Sequence, residues 1–334
     1  MTAPAMAAPS GGNDLARTVI RLARRNSWVI GLWILLGLLL IFTKSILPNF
    51  GATGINNLTL AALPFALATA GQAIAVLTGG IDLSIGSIMA VTGVIAAKLM
   101  DSAGDEFAVL VIAVALGAGL LMGAINGALI WFTRVPDIIV TLAMLFVWAG
   151  TALLILDRPG GEIADWVRSL IRGTVAIEWV PRALLFLIVA IAIIWIPLKR
   201  SQLGLSIYAV GSDRRAAIRS GVNVRRTKIL AYALTGLFAA LAGLVVAMNT
   251  GQGDPVPGQY LLATVAAVVL GGVSLAGGTG GLIGPIVAVF ILRLVRADLT
   301  FLGIDNSFAT VIEGAMLVGV VMLGAVVARR QGQS

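Results

Sequence analysis

The sequence predicts an all-α fold, a polytopic transmembrane helical bundle of about ten spans with two glycine-broken segments. Three observations predict it. Of 334 residues, 59% are hydrophobic and only 11% charged, where soluble domains run nearer about 45–50% and about 25%. Mean hydropathy is +1.03, and apolar runs of the length that crosses a bilayer core, about 20 residues, recur along nearly the whole chain. The 23 Lys and Arg gather at the ends of those runs rather than in one patch, which is how spans are oriented and not how a nucleic-acid groove is lined.

On that ruler the spans lie near 28–47, 58–77, 85–100, 107–132, 138–156, 183–198, 229–248, 259–276, 282–297 and 308–328. The first run is longer than the apolar core of a signal peptide and no small-residue cleavage site follows it, so it reads as an uncleaved span. With the N-terminus inside, 15 of the 23 Lys and Arg fall on the inner side and ten of the 15 acids on the outer side. An even span count with both termini cytoplasmic follows. The layout is a cytoplasmic tail at 1–27, a transmembrane domain at 28–328 containing a cytoplasmic loop at 198–228, and a second tail at 329–334.

Two connections are more than turns. In the outer loop 157–181, Ile163, Trp166, Val167, Leu170 and Ile171 have the spacing of an amphipathic helix, with Asp165, Arg168 and Arg172 on the other face. Such a helix either lies on the membrane surface without a partner or serves as a docking or gating element. In the inner loop, Gly211, Ser212 and Asp213 offer a turn and an N-cap; Ala216, Ala217 and Ile218 then make a short helix that Gly221 can end.

Glycine supplies 40 residues. Gly119, Gly123 and Gly127 repeat every four positions, a smooth stripe that lets another backbone approach closely. Asn126 beside them is either interhelical glue or pore lining, because an amide in lipid must find a partner. The stretch 75–86 also echoes 267–278, with six of twelve positions identical. Each copy is an apolar run interrupted by Gly-Gly and followed by a small polar residue, Asp82 and Ser84 in the first and Ser274 in the second. Paired breaks of this kind mark the substrate-facing region of transporters, and chance similarity between glycine-rich stretches is the competing reading.

The absence of Cys and His removes thiol and imidazole chemistry and most metal and haem ligand sets. No Gly-Lys-Ser/Thr phosphate loop exists, since the four lysines follow Thr43, Ala97, Leu198 and Thr227. Any ATP used is hydrolysed by another chain. Ion coupling would place several ionisable groups inside spans; Glu313 is one, with Asp82 and Asp137 near span ends. Asp82 is either an N-cap for the third span or a hydrogen-bonding residue on a transport route. Gln72, just before the first break, is another amide expected to face inward.

The stretches 77–87, 123–127, 209–222 and 269–278 resemble the permease subunits of ribose-type sugar ABC importers, within the branched-chain amino acid/sugar permease superfamily, and the resemblance extends from about 28 to 328. It implies a permease paired with a second permease subunit, fed by an extracytoplasmic sugar-binding protein and driven by cytoplasmic ATPase domains in a bacterial inner membrane. No cofactor is bound by the chain, ATP being used by the ATPase, and no nucleic acid is involved. The residues themselves mark the expected substrate pathway as Gln72, Thr78, Asp82, Ser84, Asn126, Ser274 and Glu313. The implied ATPase-coupling helix comprises Ser212, Asp213, Arg215, Ala216, Ala217 and Gly221, its small Ala-Ala face docking on the ATPase. The family usually has an acid where Arg215 stands, an aromatic at Asp137 and a lysine at Glu313. The expected function is monosaccharide import by alternating access without a catalytic site. A branched-chain amino acid permease and an ion-coupled carrier or membrane receptor are the rivals.

Overall fold

A computed structural model describes residues 27–256, 260–305, 307–312, 314, 315, 318, 319 and 322. The predicted Glu313 and both tails beyond Ser27 and Met322 lie outside the described residues. Among those described, every regular element is helical apart from two isolated β-bridges. In chain order the helices are α1 (Ser27–Ile46), α2 (Ala52–Leu77), α3 (Ile85–Ala103), α4 (Ala108–Thr133) after a short 3-10 turn, α5 (Asp137–Ile155), α6 (Asp165–Ser169), α7 (Arg182–Arg200), α8 (Gln202–Ser212), α9 (Arg214–Arg219), α10 (Val224–Thr250), α11 (Leu261–Leu270) and α12 (Ile283–Phe301).

Seven of these are long and apolar enough to cross a membrane: α1 to α5, α7 and α10. The eighth expected span shortens to the 10 residues of α11 because its second half belongs to a glycine-rich connection. The ninth is a 19-residue helix, α12, that carries Arg293, Arg296 and Asp298. Much of the tenth lies outside the described residues.

Helix α10 is the packing centre, lying against α2, α3, α4 and α8. The glycine stripe explains its close fit to α4. A β-carbon at Gly123 would run into the Tyr232 carbonyl and the Gly236 backbone, and one at Gly236 into the Gly119 carbonyl and the Gly123 backbone. Gly93 and Gly243 make a similar approach between α3 and α10, and the Thr235 hydroxyl donates to the Gly71 carbonyl of α2 at 3.1 Å. Without a hydrophobic force between helices in lipid, such small-residue contacts and interhelical hydrogen bonds are what hold them together. The outward faces remain apolar, with Ile34 and Ile41 on α1, Leu121 on α4, Phe146 and Leu154 on α5 and Ile193 on α7 all exposed. These faces suit lipid rather than water.

Helix ends pair in two sets. On one side Trp28 Nε1 donates to the Leu270 carbonyl at 2.8 Å, and the Gly278 amide to the Leu77 carbonyl at 3.0 Å. On the other, Thr43 Oγ1 donates to Asp298 Oδ2 at 3.1 Å and Lys98 Nζ to the Ile155 carbonyl at 2.8 Å. The loop 157–181 joins the second set. Its helix is only the five residues of α6, and Ile163, Val167 and Ile171 are fully buried while Trp166 and Leu170 are exposed. The Ile163 amide donates to the Gly251 carbonyl, and the Glu162 amide to the Ala97 carbonyl. Instead of floating on a surface, this loop is tied across the ends of α3 and α10.

Candidate functional site

The connection 78–84 between α2 and α3 carries a buried polar network. Gln72, one turn before the end of α2, turns its amide on the Asp82 backbone: Nε2 donates to the carbonyl at 2.8 Å and Oε1 accepts the amide at 3.2 Å. Asp82 Oδ1 accepts the Ser84 amide at 2.9 Å and the Ser84 hydroxyl at 2.6 Å. Ser84 Oγ in turn accepts from Asn126 Nδ2 at 2.7 Å, and Asn126 Oδ1 accepts from Trp148 Nε1 at 3.3 Å. Gln72, Asp82, Ser84 and Asn126 are all fully buried. Asn126 is therefore partnered between helices, as the glue reading requires. Asp82 does not cap α3. The N-cap position is Ser84, and Asp82, two residues ahead of that cap, closes an Asx turn onto it. Its other oxygen, Oδ2, is buried with no hydrogen-bond partner among the described residues. Thr78 is spent locally, its hydroxyl donating to the Ala75 carbonyl at 2.7 Å.

The connection 271–282 between α11 and α12 is built differently. Ser274 closes its own turn, Oγ accepting the Ala276 amide at 3.2 Å, and it does not join the Asp82 network. The two connections meet backbone to backbone, and a β-carbon on Gly79 would lie 3.6 Å from the Ala276 carbonyl. A β-carbon on Gly277 would crowd Gly79 and the Gly211 carbonyl, and one on Gly211 would strike the Leu77 carbonyl and the Gly278 amide. The end of α8 is thus wedged against both connections.

Immediately after α8, Asp213 is the N-cap of α9, Oδ1 accepting the amides of Arg215 at 2.8 Å and Ala216 at 3.0 Å. Gly221 ends it with φ of +80°, and the Val222 amide donates back to the Ala217 carbonyl at 3.0 Å. This is the cap and stop the sequence predicts. The Ala-Ala face is corrected. Neighbouring helix residues point about 100° apart, and here Ala217 is buried against Val210 and Val224 while Ala216 is exposed. The outward surface is Arg215, Ala216, Ile218 and Arg219, with Ser212 and Asp213 exposed beside it.

A cavity of about 340 Å³ lies between the α4–α5 junction, the end of α8 with Arg214 of α9, and the near ends of the two connections, bordered by Thr78, Asp137, Ser212, Arg214, Lys228 and Ala276 among others. The residues missed as a group are in its wall. Asp137 Oδ2 accepts from Tyr232 OH at 2.7 Å and from Lys228 Nζ. Lys228 reads in sequence only as an orienting charge. Its spacing of four from Tyr232, which puts both on one face of α10, was the available signal.

The chain matches the model of a family described as branched-chain amino acid transport system / permease component over residues 54–321. It belongs to this family of membrane permeases. Among its relatives it is 30% identical to the ribose import permease protein of Escherichia coli, over 89% of this chain and 94% of that protein. It is 32% identical to the ribose import permease protein of Bacillus subtilis, over 88% of this chain and 90% of that one. The D-allose transport system permease protein of Escherichia coli is 28% identical over 90% and 92%. No solved structure matches.

Proposed function

We propose that this chain is the membrane-spanning subunit of an ATP-driven monosaccharide importer in a bacterial inner membrane. Ten crossings, with both termini cytoplasmic, make up the domain at 28–328 between tails at 1–27 and 329–334. A second permease subunit, a cytoplasmic ATPase and an extracytoplasmic sugar-binding protein complete the assembly. The chain has no catalytic role and binds no cofactor; the ATPase consumes the ATP. The family description names amino acid transport, yet the relatives covering about nine-tenths of this chain carry ribose and allose in their names. That favours a sugar.

The observation that carries the reading is the position of α9. A capped helix with an exposed, largely basic outer surface follows directly on the end of α8, which is wedged against both glycine connections, and its Arg214 borders a cavity that Thr78, Gly79 and Ala276 of those connections also line. Pushing or pulling on α9 from the cytoplasm would act directly on the segments that close the route. In this account Ser212, Asp213, Arg215, Ala216 and Gly221 form or shape the ATPase contact, with Ala217 anchoring the helix from beneath. Gln72, Thr78, Asp82, Ser84, Asn126, Ser274 and Glu313 belong to the route or its supports.

Affinity-tagged protein purified from its source cells should bring down an ATPase. Reconstituted with that ATPase and the binding protein, it should take up labelled ribose or allose only with ATP. Uptake of leucine in place of a sugar, or sugar uptake driven by an ion gradient without any ATPase, contradicts the proposal.

A further inference from the structure

The Asp137–Lys228 ion pair joins three things that the proposed mechanism must move together. Lys228 stands in the first turn and a half of α10, whose N-cap, Asn223, follows the end of α9 by four residues. Ala217 of α9 packs on Val224 of α10, so the short helix and the start of α10 form one unit. Asp137 is the first residue of α5. Its Oδ2 accepts hydrogen bonds from Lys228 and Tyr232, two residues one turn apart on α10. The same oxygen presses on the first glycine connection: a β-carbon at Gly80 would overlap Asp137 Oδ2 and crowd the Tyr232 hydroxyl. One turn further along α5, the Thr141 hydroxyl donates to the Ile81 carbonyl at 3.1 Å, a second tie from α5 to that connection.

The pair is also largely buried. The Lys228 and Asp137 side chains retain 9% and 17% of their exposure, at the inner wall of the cavity beside α9. Ion pairs at a wet surface hold little, whereas a desolvated pair resists separation because either charge left alone lacks compensation. Contacts of that kind transmit displacement instead of yielding to it.

We propose that Asp137 and Lys228 are positioning residues for transport, the link by which movement of the 214–222 segment reaches residues 78–84. Displacing α9 shifts the first turns of α10, and Lys228 with Tyr232 drags Asp137. Asp137 then moves against Gly80, and α5 follows through Thr141 and Ile81. The link rests on the coupling role proposed for α9, and it adds the specific path inward from that helix.

The test uses the complete transporter in vesicles, comparing wild type with Asp137→Asn, Lys228→Met and the double variant. The single variants strand one buried charge or weaken its partner, so they are expected to reduce the yield of assembled protein. The double variant removes both charges and leaves none uncompensated, so its yield should return close to wild type. Its uptake should not return. The quantity read is sugar moved per ATP hydrolysed, and it should fall at least tenfold in the double variant, with Asp137→Glu restoring part of it in an otherwise native chain. A merely structural pair predicts the opposite: the double variant regains yield and sugar moved per ATP together, and that outcome overturns the link. Failure of the underlying transport reading is separate, because it would appear in the wild type as no ATP-driven uptake.

Discussion

In the connection 78–84, Thr78, Asp82 and Ser84 are buried, and α2, α4 and α5 each send a polar side chain to it. In the connection 271–282, Gly272, Leu275, Ala276, Thr279 and Gly280 are exposed, and Ser274 bonds within its own turn. Tyr208 OH, donating to the Gly280 carbonyl at 2.9 Å, is a side-chain tie to it from outside, alongside the backbone bond to Leu77. Both start alike. Each helix ends where a glycine adopts positive φ, Gly79 at +74° and Gly272 at +83°, and the following amide reaches back to Ala75 or Val268. That conformation is open to glycine at little cost.

The register explains the divergence. The sequence echo aligns Gly79 with Gly271 and Asp82 with Ser274, but the helix ends and the positive-φ glycines match one residue later, Gly79 with Gly272. In that alignment Asp82 faces Leu275 and Ser84 faces Gly277. The second connection lacks the acid and the hydroxyl around which the first is tied. A glycine pair therefore ends a helix but does not decide whether the chain beyond it is held; the polar residues that follow, and those on neighbouring helices, decide that.

Substitutions sharpen this contrast. The larger effect is expected at Asp82. Asp82→Ala removes the acceptor for the Ser84 amide and hydroxyl in a buried site, a loss of about 1–3 kcal/mol, read as a lower melting temperature of the detergent-solubilised protein. Asp82→Asn keeps an Oδ1 acceptor and should melt near wild type. If it also transports normally, the charge is dispensable and Asp82 is a support and not a route residue. Equal melting of the Ala and Asn variants would mean that the Asx turn contributes nothing. The smaller effect is expected at Ser274, where Ser274→Ala removes one partly exposed local bond. Its melting should shift by less than about 0.5 kcal/mol equivalent, and a loss matching that of Asp82→Ala would erase the distinction between the connections.

Much of the helical layout is legible in sequence because lipid imposes length and hydropathy on each span. The cap at Asp213, the stop at Gly221 and the stripe Gly119, Gly123 and Gly127 are legible too, since each is a local signal with a fixed spacing. Long-range partners are not. Nothing in spacing tells Gln72 to turn on the Asp82 backbone, or Asp137 to meet Lys228, because these pairings depend on which helices become neighbours. Helix α8 escaped notice because it is short and sits in a loop read mainly for its charges. The loop 157–181 misled for a related reason: its five apolar residues suit an interfacial helix, but only the i, i+4, i+8 set of Ile163, Val167 and Ile171 faces protein.

The first connection is locked and the second open. Since no cysteine is native, single cysteines at 78, 84, 275 and 279 can be introduced and tested with a small membrane-permeant thiol reagent in native membranes without nucleotide. Labelling should be rapid at 275 and 279 and at least tenfold slower at 78 and 84. Comparable rates at all four positions, or faster reaction at 84 than at 279, would contradict it.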